Sequence, residues 1–146
     1  MKIGFTGTRE GMSKRQEGLF SRVISEYFYD MDEFHHGDCI GADAEAHQHI
    51  HDCRRYDEDG HEVKIVIHPP LKDEVRAHCK TYNRDPYYYD DIIKVKKNYL
   101  ERNRDIVDAT DLLIATPKEL STTEFYGTMY TIKYAHDKGV PVIILW

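Results

Sequence analysis

The sequence has no run of apolar residues approaching the ~20 that a membrane-spanning helix needs. It also lacks a basic excess, because 26 acidic and 20 basic residues leave a net charge of −6. Neutralising the phosphate backbone is the main non-specific contribution to nucleic-acid binding. The composition therefore disfavours both a membrane and a nucleic acid as partners.

Cysteine is scarce, and the three present (Cys39, Cys53 and Cys79) have no CxxC spacing. We interpret them as reduced thiols in a cytoplasmic protein. The first residues run directly into a polar loop, so we expect no signal peptide. At 146 residues, the chain is predicted to form one domain over 1–146.

Helical and strand-like patterns alternate along the chain. Five strands are predicted, at residues 2–5, 33–36, 63–67, 111–115 and 142–145. Four helices are predicted: one opened by a capping box at Ser13 and Gln16, and others over 42–53, 99–108 and 128–138. Residues 71–80 fit a further helix, and residues 82–91, with four tyrosines and Pro86, fit an irregular binding loop or lid.

This alternation predicts an α/β fold, a doubly wound, Rossmann-like three-layer sandwich. We expect a parallel sheet of five strands in the order 3-2-1-4-5. The order reverses between strands 1 and 4, and ligands bind beside the loops that follow strands at such a reversal.

Glycines and hydroxyl residues follow the first two predicted strands. Thr6, Gly7, Thr8 and Arg9 follow the first, where backbone amides and a guanidinium suit a phosphate. The alternative is a tight turn with a solvated arginine, since neither GxGxxG nor GxxxxGK[ST] is present. The loop after the second strand repeats the design with four candidate residues: Gly37, Asp38, Gly41 and Asp43.

Asp43 has two interpretations. With His47 one turn later on the same helix face, it would orient a ligand sugar or act in acid–base chemistry. The plainer alternative is a carboxylate that caps the second helix, beside a surface histidine.

Two further groups lie near the expected reversal of strand order. Arg102 and Arg104 belong to the helix before the fourth strand, and they form either an anion-binding cluster or a solvated face. Gly127 and Thr128 open the last helix, where a glycine and hydroxyls again suit a phosphate. The alternative there is a capped loop with Thr128 as N-cap.

Five histidines cluster in the first half of the chain: His35, His36, His47, His49 and His51. No HExxH zinc motif accompanies them. We expect surface histidines, no metal site and no cofactor.

At these residues the chain resembles the SLOG superfamily, which includes the Rossmann domain of the DNA-processing protein A family and the Lonely Guy phosphoribohydrolases. The resemblance rests on residues 4–9, 36–43 with His47, 101–107, and 126–135 with 139–142. It implies a Rossmann-like fold that binds nucleotides or nucleotide-derived ligands through these loops, and it implies a homo-oligomer, a dimer or higher.

The Lonely Guy resemblance is incomplete at the catalytic motif. Those enzymes cleave an N-glycosidic bond with an arginine and the glutamate of PGGxGTxxE. Gly127 and Thr128 align with the GT, but Thr131 stands at the glutamate position and the PGG is missing. Arg102 or Arg104 corresponds to the arginine.

Three functions follow from these patterns. The first is a binding protein that senses, carries or sequesters a nucleotide-type phosphorylated molecule. The second is a nucleoside monophosphate N-glycosidase, for which Asp43, Glu124 and Arg102 are the catalytic candidates. The third is an oligomeric interaction protein with a vestigial site, using the tyrosine-rich segment and the last strand.

Overall fold

Strands and helices alternate in the computed structural model, which describes residues 1–82, 90–118 and 127–146. The strands are β1 (Lys2–Gly7), β2 (Glu33–His36), β3 (Lys64–Ile67), β4 (Ile92–Ile93), β5 (Leu112–Thr116) and β6 (Val142–Ile144). The α-helices are α1 (Lys14–Tyr27), α2 (Ala42–Arg55), α3 (Tyr99–Asp108) and α4 (Thr128–Lys138). Two short 3₁₀-helices lie at Phe28–Asp30 and Asp73–Val75.

The six strands form one parallel sheet in the order β4-β3-β2-β1-β5-β6. The predicted count of five strands is wrong, because β4 adds an edge strand beside β3. With β4 included, the strand order differs from the predicted 3-2-1-4-5, although the five predicted strands keep their relative positions. Two residues are too few to show a period in the sequence, and β4 exists only through its pairing with β3.

Local signals account for the starts of α1 and α3. The Ser13 side chain accepts the Gln16 N–H while the Gln16 side chain accepts the Ser13 N–H, which confirms the capping box. The Asn98 side chain accepts the Glu101 N–H at the start of α3. Each bond satisfies an amide that the helix itself leaves without a partner.

Two apolar clusters cover the two faces of the sheet. The larger joins β1 and β2 to α1 and α2, with Phe5, Phe20 and Phe34 at its centre. The smaller joins Ile106 on α3, Ala135 on α4 and neighbouring residues to the opposite face. This is the doubly wound arrangement that the alternation of elements predicts.

The prediction of a helix over residues 71–80 is wrong. Apart from the short 3₁₀-helix, this segment is irregular and hydrogen-bonds to the loop after β2: the Ile40 N–H donates to the Val75 carbonyl, and the Ala77 N–H donates to the Asp38 carbonyl. These non-local bonds replace the helical ones. Most of the predicted irregular segment, residues 83–89, lies outside the described residues.

Among the described residues, no helix is both long and apolar enough to cross a membrane.

Candidate functional site

The candidate site lies at the carboxyl edge of the sheet. Every α-helix follows a strand of the parallel sheet, so all four begin at this edge, where their positive dipole ends favour anions. The strand order reverses at β1, since β2 lies on one side of it and β5 on the other. Ligands of doubly wound sheets bind in the crevice that such a reversal creates.

The loop after β1 leaves two of its predicted ligand groups free. The Thr6 hydroxyl and the exposed Arg9 guanidinium have no hydrogen-bond or ion-pair partner within the described ranges. The Thr8 hydroxyl instead donates to the Gly11 carbonyl at 3.3 Å and stabilises the turn. A Cβ on Gly7 would lie 2.4 Å from the Thr116 hydroxyl, so β1 and β5 meet closely here only because residue 7 is glycine.

Gly41 joins the loops after β1 and β2. It is the N-cap of α2, with φ of 89°, a conformation that favours glycine. A Cβ there would lie 2.4 Å from the Arg9 carbonyl oxygen. The next residue, Ala42, donates its N–H to the Thr8 carbonyl at 3.0 Å. The first loop therefore occupies an amide at the start of α2, and the two loops form one unit.

Asp43 and Arg102 lie on either side of Gly37. The Asp43 carboxylate accepts the Cys39 N–H at 3.1 Å, and burial raises the pKa of Asp43 to about 6. It does not cap α2 at the N-cap position, which Gly41 occupies. A Cβ on Gly37 would lie 2.6 Å from Arg102 Nη1 and 2.8 Å from Asp43 Oδ2, so glycine leaves the space that both side chains use.

Arg102 is a buried cation held by neutral acceptors. Its Nη1 donates to the Gly37 carbonyl at 2.6 Å and to Cys39 Sγ at 3.1 Å. Its Nε and Nη2 both donate to Asn103 Oδ1, at 3.1 and 2.9 Å. Four of five N–H donors are thus used, and no carboxylate of the described chain lies within the 4.0 Å of an ion pair.

Gly37→Ala is expected to lower the free energy of unfolding by about 1–3 kcal/mol, because the added methyl displaces Arg102 and Asp43 from a filled space. Urea denaturation measures the change. Gly18→Ala is the matched control: nothing lies within 4 Å of its Cβ position on α1, so it should raise stability by about 0.5–1 kcal/mol. Equal stability of G37A and the wild type would contradict the packing described around Gly37.

Asp38 anchors the segment that follows β3. Its buried carboxylate pairs with Arg76 Nε at 2.5 Å and accepts the Cys79 N–H at 2.8 Å. With the backbone bonds already described, this pair fixes residues 75–79 across the loop after β2. Asp38, a predicted ligand residue, is therefore engaged within the protein.

Arg104 is separated from Arg102, because it points toward α4. Its Nε donates to the Tyr130 hydroxyl at 2.6 Å, and its guanidinium lies over the rings of Tyr130 and Tyr134. The two rings stack with an interplanar angle of 12°. Sequence reasoning missed this aromatic surface, although the i,i+4 spacing of the tyrosines was a usable signal.

The start of α4 lacks a side-chain cap. Gly127, rather than Thr128, is the N-cap, with φ of 103°. The hydroxyl of the buried Thr131 donates to the Gly127 carbonyl at 2.9 Å, so the residue at the Lonely Guy glutamate position satisfies the helix backbone. Glu124 lies outside the described residues.

The expectation of surface histidines is wrong. Four of the five clustered histidines are buried: His35, His36, His47 and His51. His36 Nε2 lies 3.0 Å from His47 Nδ1, and His36 Nδ1 accepts the Asp38 N–H at 3.1 Å. Since Nδ1 of His36 is an acceptor, its Nε2 carries the proton and donates to His47.

His36, His47 and Cys79 also form a group of potential metal ligands, with all ligand atoms within 4.8 Å of one another. The hydrogen bonds conflict with metal binding, because His36 Nε2 would have to lose the proton that it donates. Burial and then the neighbouring Asp38 raise the pKa of the Cys79 thiol, which disfavours the thiolate. This geometry suits a hydrogen-bond network better than a metal ion.

The fold resembles several solved structures. The molybdenum cofactor binding protein of Rippkaea orientalis matches with a TM-score of 0.64 and 19% identity, over 98% of this chain and 74% of that one. The Moco carrier protein of Chlamydomonas reinhardtii matches with a TM-score of 0.58 and 16% identity, over 99% and 75%. DNA processing protein A of Streptococcus pneumoniae matches with a TM-score of 0.63 and 19% identity, over 98% of this chain but only 49% of that one.

These neighbours are SLOG-type domains, so the predicted resemblance is confirmed for the fold. No protein-family model and no curated protein sequence matches the chain. A further neighbour, DNA processing protein A of Helicobacter pylori, is described as binding single-stranded DNA. The expectation from net charge that nucleic acid is disfavoured therefore has no support from these structures.

Proposed function

We propose that this protein binds a nucleotide or a nucleotide-derived phosphorylated small molecule at the carboxyl edge of its sheet, and so senses, carries or sequesters it. The observation that carries the proposal is Arg102. Its hydrogen bonds go to neutral acceptors, and Asp43 balances its charge only in part from beyond ion-pair distance, so an anionic ligand completes the pairing. Asp43, across Gly37, lies beyond ion-pair distance within the described chain.

Other groups at the same edge complement a phosphorylated ligand. The Thr6 hydroxyl and the Arg9 guanidinium are available after β1. The first turn of α4 presents backbone N–H groups with no side-chain cap, at the positive end of the helix dipole. Hydroxyl, guanidinium and amide donors together suit an anionic ligand with several oxygen atoms.

The structural neighbours favour binding over hydrolysis. Two are named as a binding protein and a carrier of the molybdenum cofactor, which are roles that hold a small molecule without consuming it. In this chain, the hydroxyl of Thr131 occupies the position of the Lonely Guy glutamate and bonds to the helix backbone.

Arg9→Ala and Thr6→Ala are expected to weaken the binding of nucleoside monophosphates by about tenfold each, since each removes about one hydrogen bond to a charged group. Isothermal titration calorimetry with a panel of nucleoside monophosphates measures the change. Arg22→Ala, an exposed arginine on α1, is the control and should bind like the wild type. Unchanged affinity in both site variants would reject this site.

A second candidate function is hydrolysis of the N-glycosidic bond. The observation that favours it is the buried Asp43 carboxyl, whose pKa of about 6 suits acid–base catalysis near neutral pH. The same nucleotide panel distinguishes the two functions by chromatography. Release of free base would support hydrolysis, and recovery of intact nucleotide at high protein concentration would support binding alone.

A further inference from the structure

A hydrogen-bonded chain of three side chains crosses from β2 to β3. Glu33 Oε2 lies 2.9 Å from His35 Nε2, and His35 Nδ1 lies 3.0 Å from Nε2 of His68. Both histidines are buried, with His68 4% exposed, whereas Glu33 is partly exposed and also pairs with Lys2. No sequence pattern identified His68 as a candidate residue, because it is a lone histidine that follows β3 and precedes two prolines.

The Glu33 carboxylate lies at one end of this row of hydrogen bonds. It determines which nitrogens of His35 and His68 carry a proton. Burial opposes ionisation of Glu33, but its bonds to His35 and Lys2 lower its pKa, so it is a carboxylate and accepts only. His35 Nε2 must then carry a proton. Burial lowers the pKa of His35 and that of His68, the latter to about 3, so both rings are neutral.

A neutral imidazole carries one proton. His35 Nδ1 is therefore an acceptor, and His68 Nε2 donates to it. The remaining nitrogen, His68 Nδ1, is left as an unprotonated acceptor. It has no hydrogen-bond partner within residues 1–82, 90–118 and 127–146. His68 is 4% exposed and its Nδ1 is not fully enclosed, so a donor from outside the protein can reach this nitrogen.

His68 lies beside Arg102. The His68 N–H donates to the His36 carbonyl at 2.9 Å, and Arg102 donates to the next carbonyl along, that of Gly37. The segment before α3 is joined to the loop after β3, because the Lys97 N–H donates to the Pro69 carbonyl. The charged groups that act on His68 are Asp105, Lys94 and Arg102.

We propose that His68 Nδ1 accepts a hydrogen bond from a hydroxyl or N–H group of the ligand whose anionic group Arg102 binds. This inference rests on the proposed function and specifies its ligand: a molecule with a hydrogen-bond donor close to its phosphate, as in a sugar phosphate. Glu33 and His35 act as positioning residues, because they keep Nδ1 of His68 unprotonated.

The test compares ribose 5-phosphate, which carries hydroxyl donors, with inorganic phosphate. His68→Gln keeps an amide N–H for His35 and removes the Nδ1 acceptor. It is expected to weaken ribose 5-phosphate binding about three- to tenfold, the value of one neutral hydrogen bond, without changing phosphate binding. His136→Gln is the control: it makes the same change at an exposed position on α4, leaves the histidine chain intact and should bind both probes like the wild type.

Three other results would overturn the inference. Equal affinity of H68Q and the wild type for ribose 5-phosphate would reject His68 as a ligand contact and leave the proposed function intact. An equal loss for both probes would assign His68 a structural role only. If the wild type binds neither probe nor any nucleoside monophosphate, the proposed function itself fails and this inference fails with it.

Nitrogen-15 NMR of the histidine side chains gives an independent readout. His68 of the free wild type is expected in the Nε2–H form, and its Nδ1 resonance should move when ribose 5-phosphate is added but not in the His136→Gln variant alone. A proton on Nδ1 in the free protein would overturn the inference directly.

Discussion

Asp91→Asn is expected to lower the free energy of unfolding by about 3–5 kcal/mol, because it leaves a buried guanidinium without its counter-charge. The Asp91 carboxylate pairs with Arg54 through two bonds of 2.6 and 2.8 Å, and both side chains are fully buried. It also accepts the N–H of Ile65 at 3.0 Å and that of Tyr82 at 3.1 Å. One carboxylate therefore joins α2, the start of β3 and the segment after residue 79.

Urea denaturation of D91N and the wild type measures this loss. Asp137→Asn is the matched control, since Asp137 pairs with Lys133 on the surface of α4 and such pairs contribute at most about 1 kcal/mol. A loss below about 1 kcal/mol in D91N would show that the pair at Arg54 adds little to stability.

Acidification below pH 6.5 is expected to lower the free energy of unfolding. Burial lowers the pKa of five histidines below the ordinary 6.5, to about 3 for His68: they are His35, His36, His47, His49 and His68. In the unfolded chain they take up protons near pH 6.5, while in the folded protein they take up protons only at lower pH, near 3 for His68. Their contribution is thus complete above pH 6.5 and is lost as the pH falls, by roughly 1.4 kcal/mol per unit for each histidine that stays neutral.

The pKa shift of Asp43 changes stability with pH in the opposite direction. Burial raises its pKa from 3.8 to about 6, so its contribution is complete below pH 3.8 and is lost as the pH rises through 6. One carboxyl offsets only part of the effect of five histidines. Denaturation curves between pH 7.5 and 4 measure the balance.

His68→Gln should reduce the slope of stability against pH, and His136→Gln, at an exposed position on α4, should leave it unchanged. Stability that stays constant from pH 7 to pH 4.5 would show that the buried histidines do not resist protonation.

The elements set by local signals were predictable from the sequence. The apolar spacing and the capping residues of α1 and α3 are local, and the structure reproduces both helices. The sheet order followed from general rules of chain connection, apart from the added edge strand β4. The prediction of a helix over 71–80 was wrong because the conformation of this segment depends on Asp38, which lies more than 30 residues away in sequence.

The candidate site was predicted in outline only. The sequence indicated loops, together with Arg102, that the structure brings to one edge of the sheet. It did not separate Arg102, which is buried beside Gly37, from Arg104, which stacks on Tyr130. The clustered histidines were wrongly predicted to lie on the surface for a similar reason. His36 on β2 and His47 on α2 approach each other only across a strand–helix contact, and no periodicity records that contact.

The bond from the Tyr82 N–H to Asp91 has a consequence for how this chain tolerates change in length. It fixes both ends of the segment between Tyr82 and Asp91 to the body of the protein, at Arg54 and Ile65. Doubling the length of a closed loop costs only about 0.6 kcal/mol in chain entropy. Insertions between these two anchors are therefore compatible with an unchanged sheet, so this segment is the natural place to graft a foreign sequence or a reporter peptide.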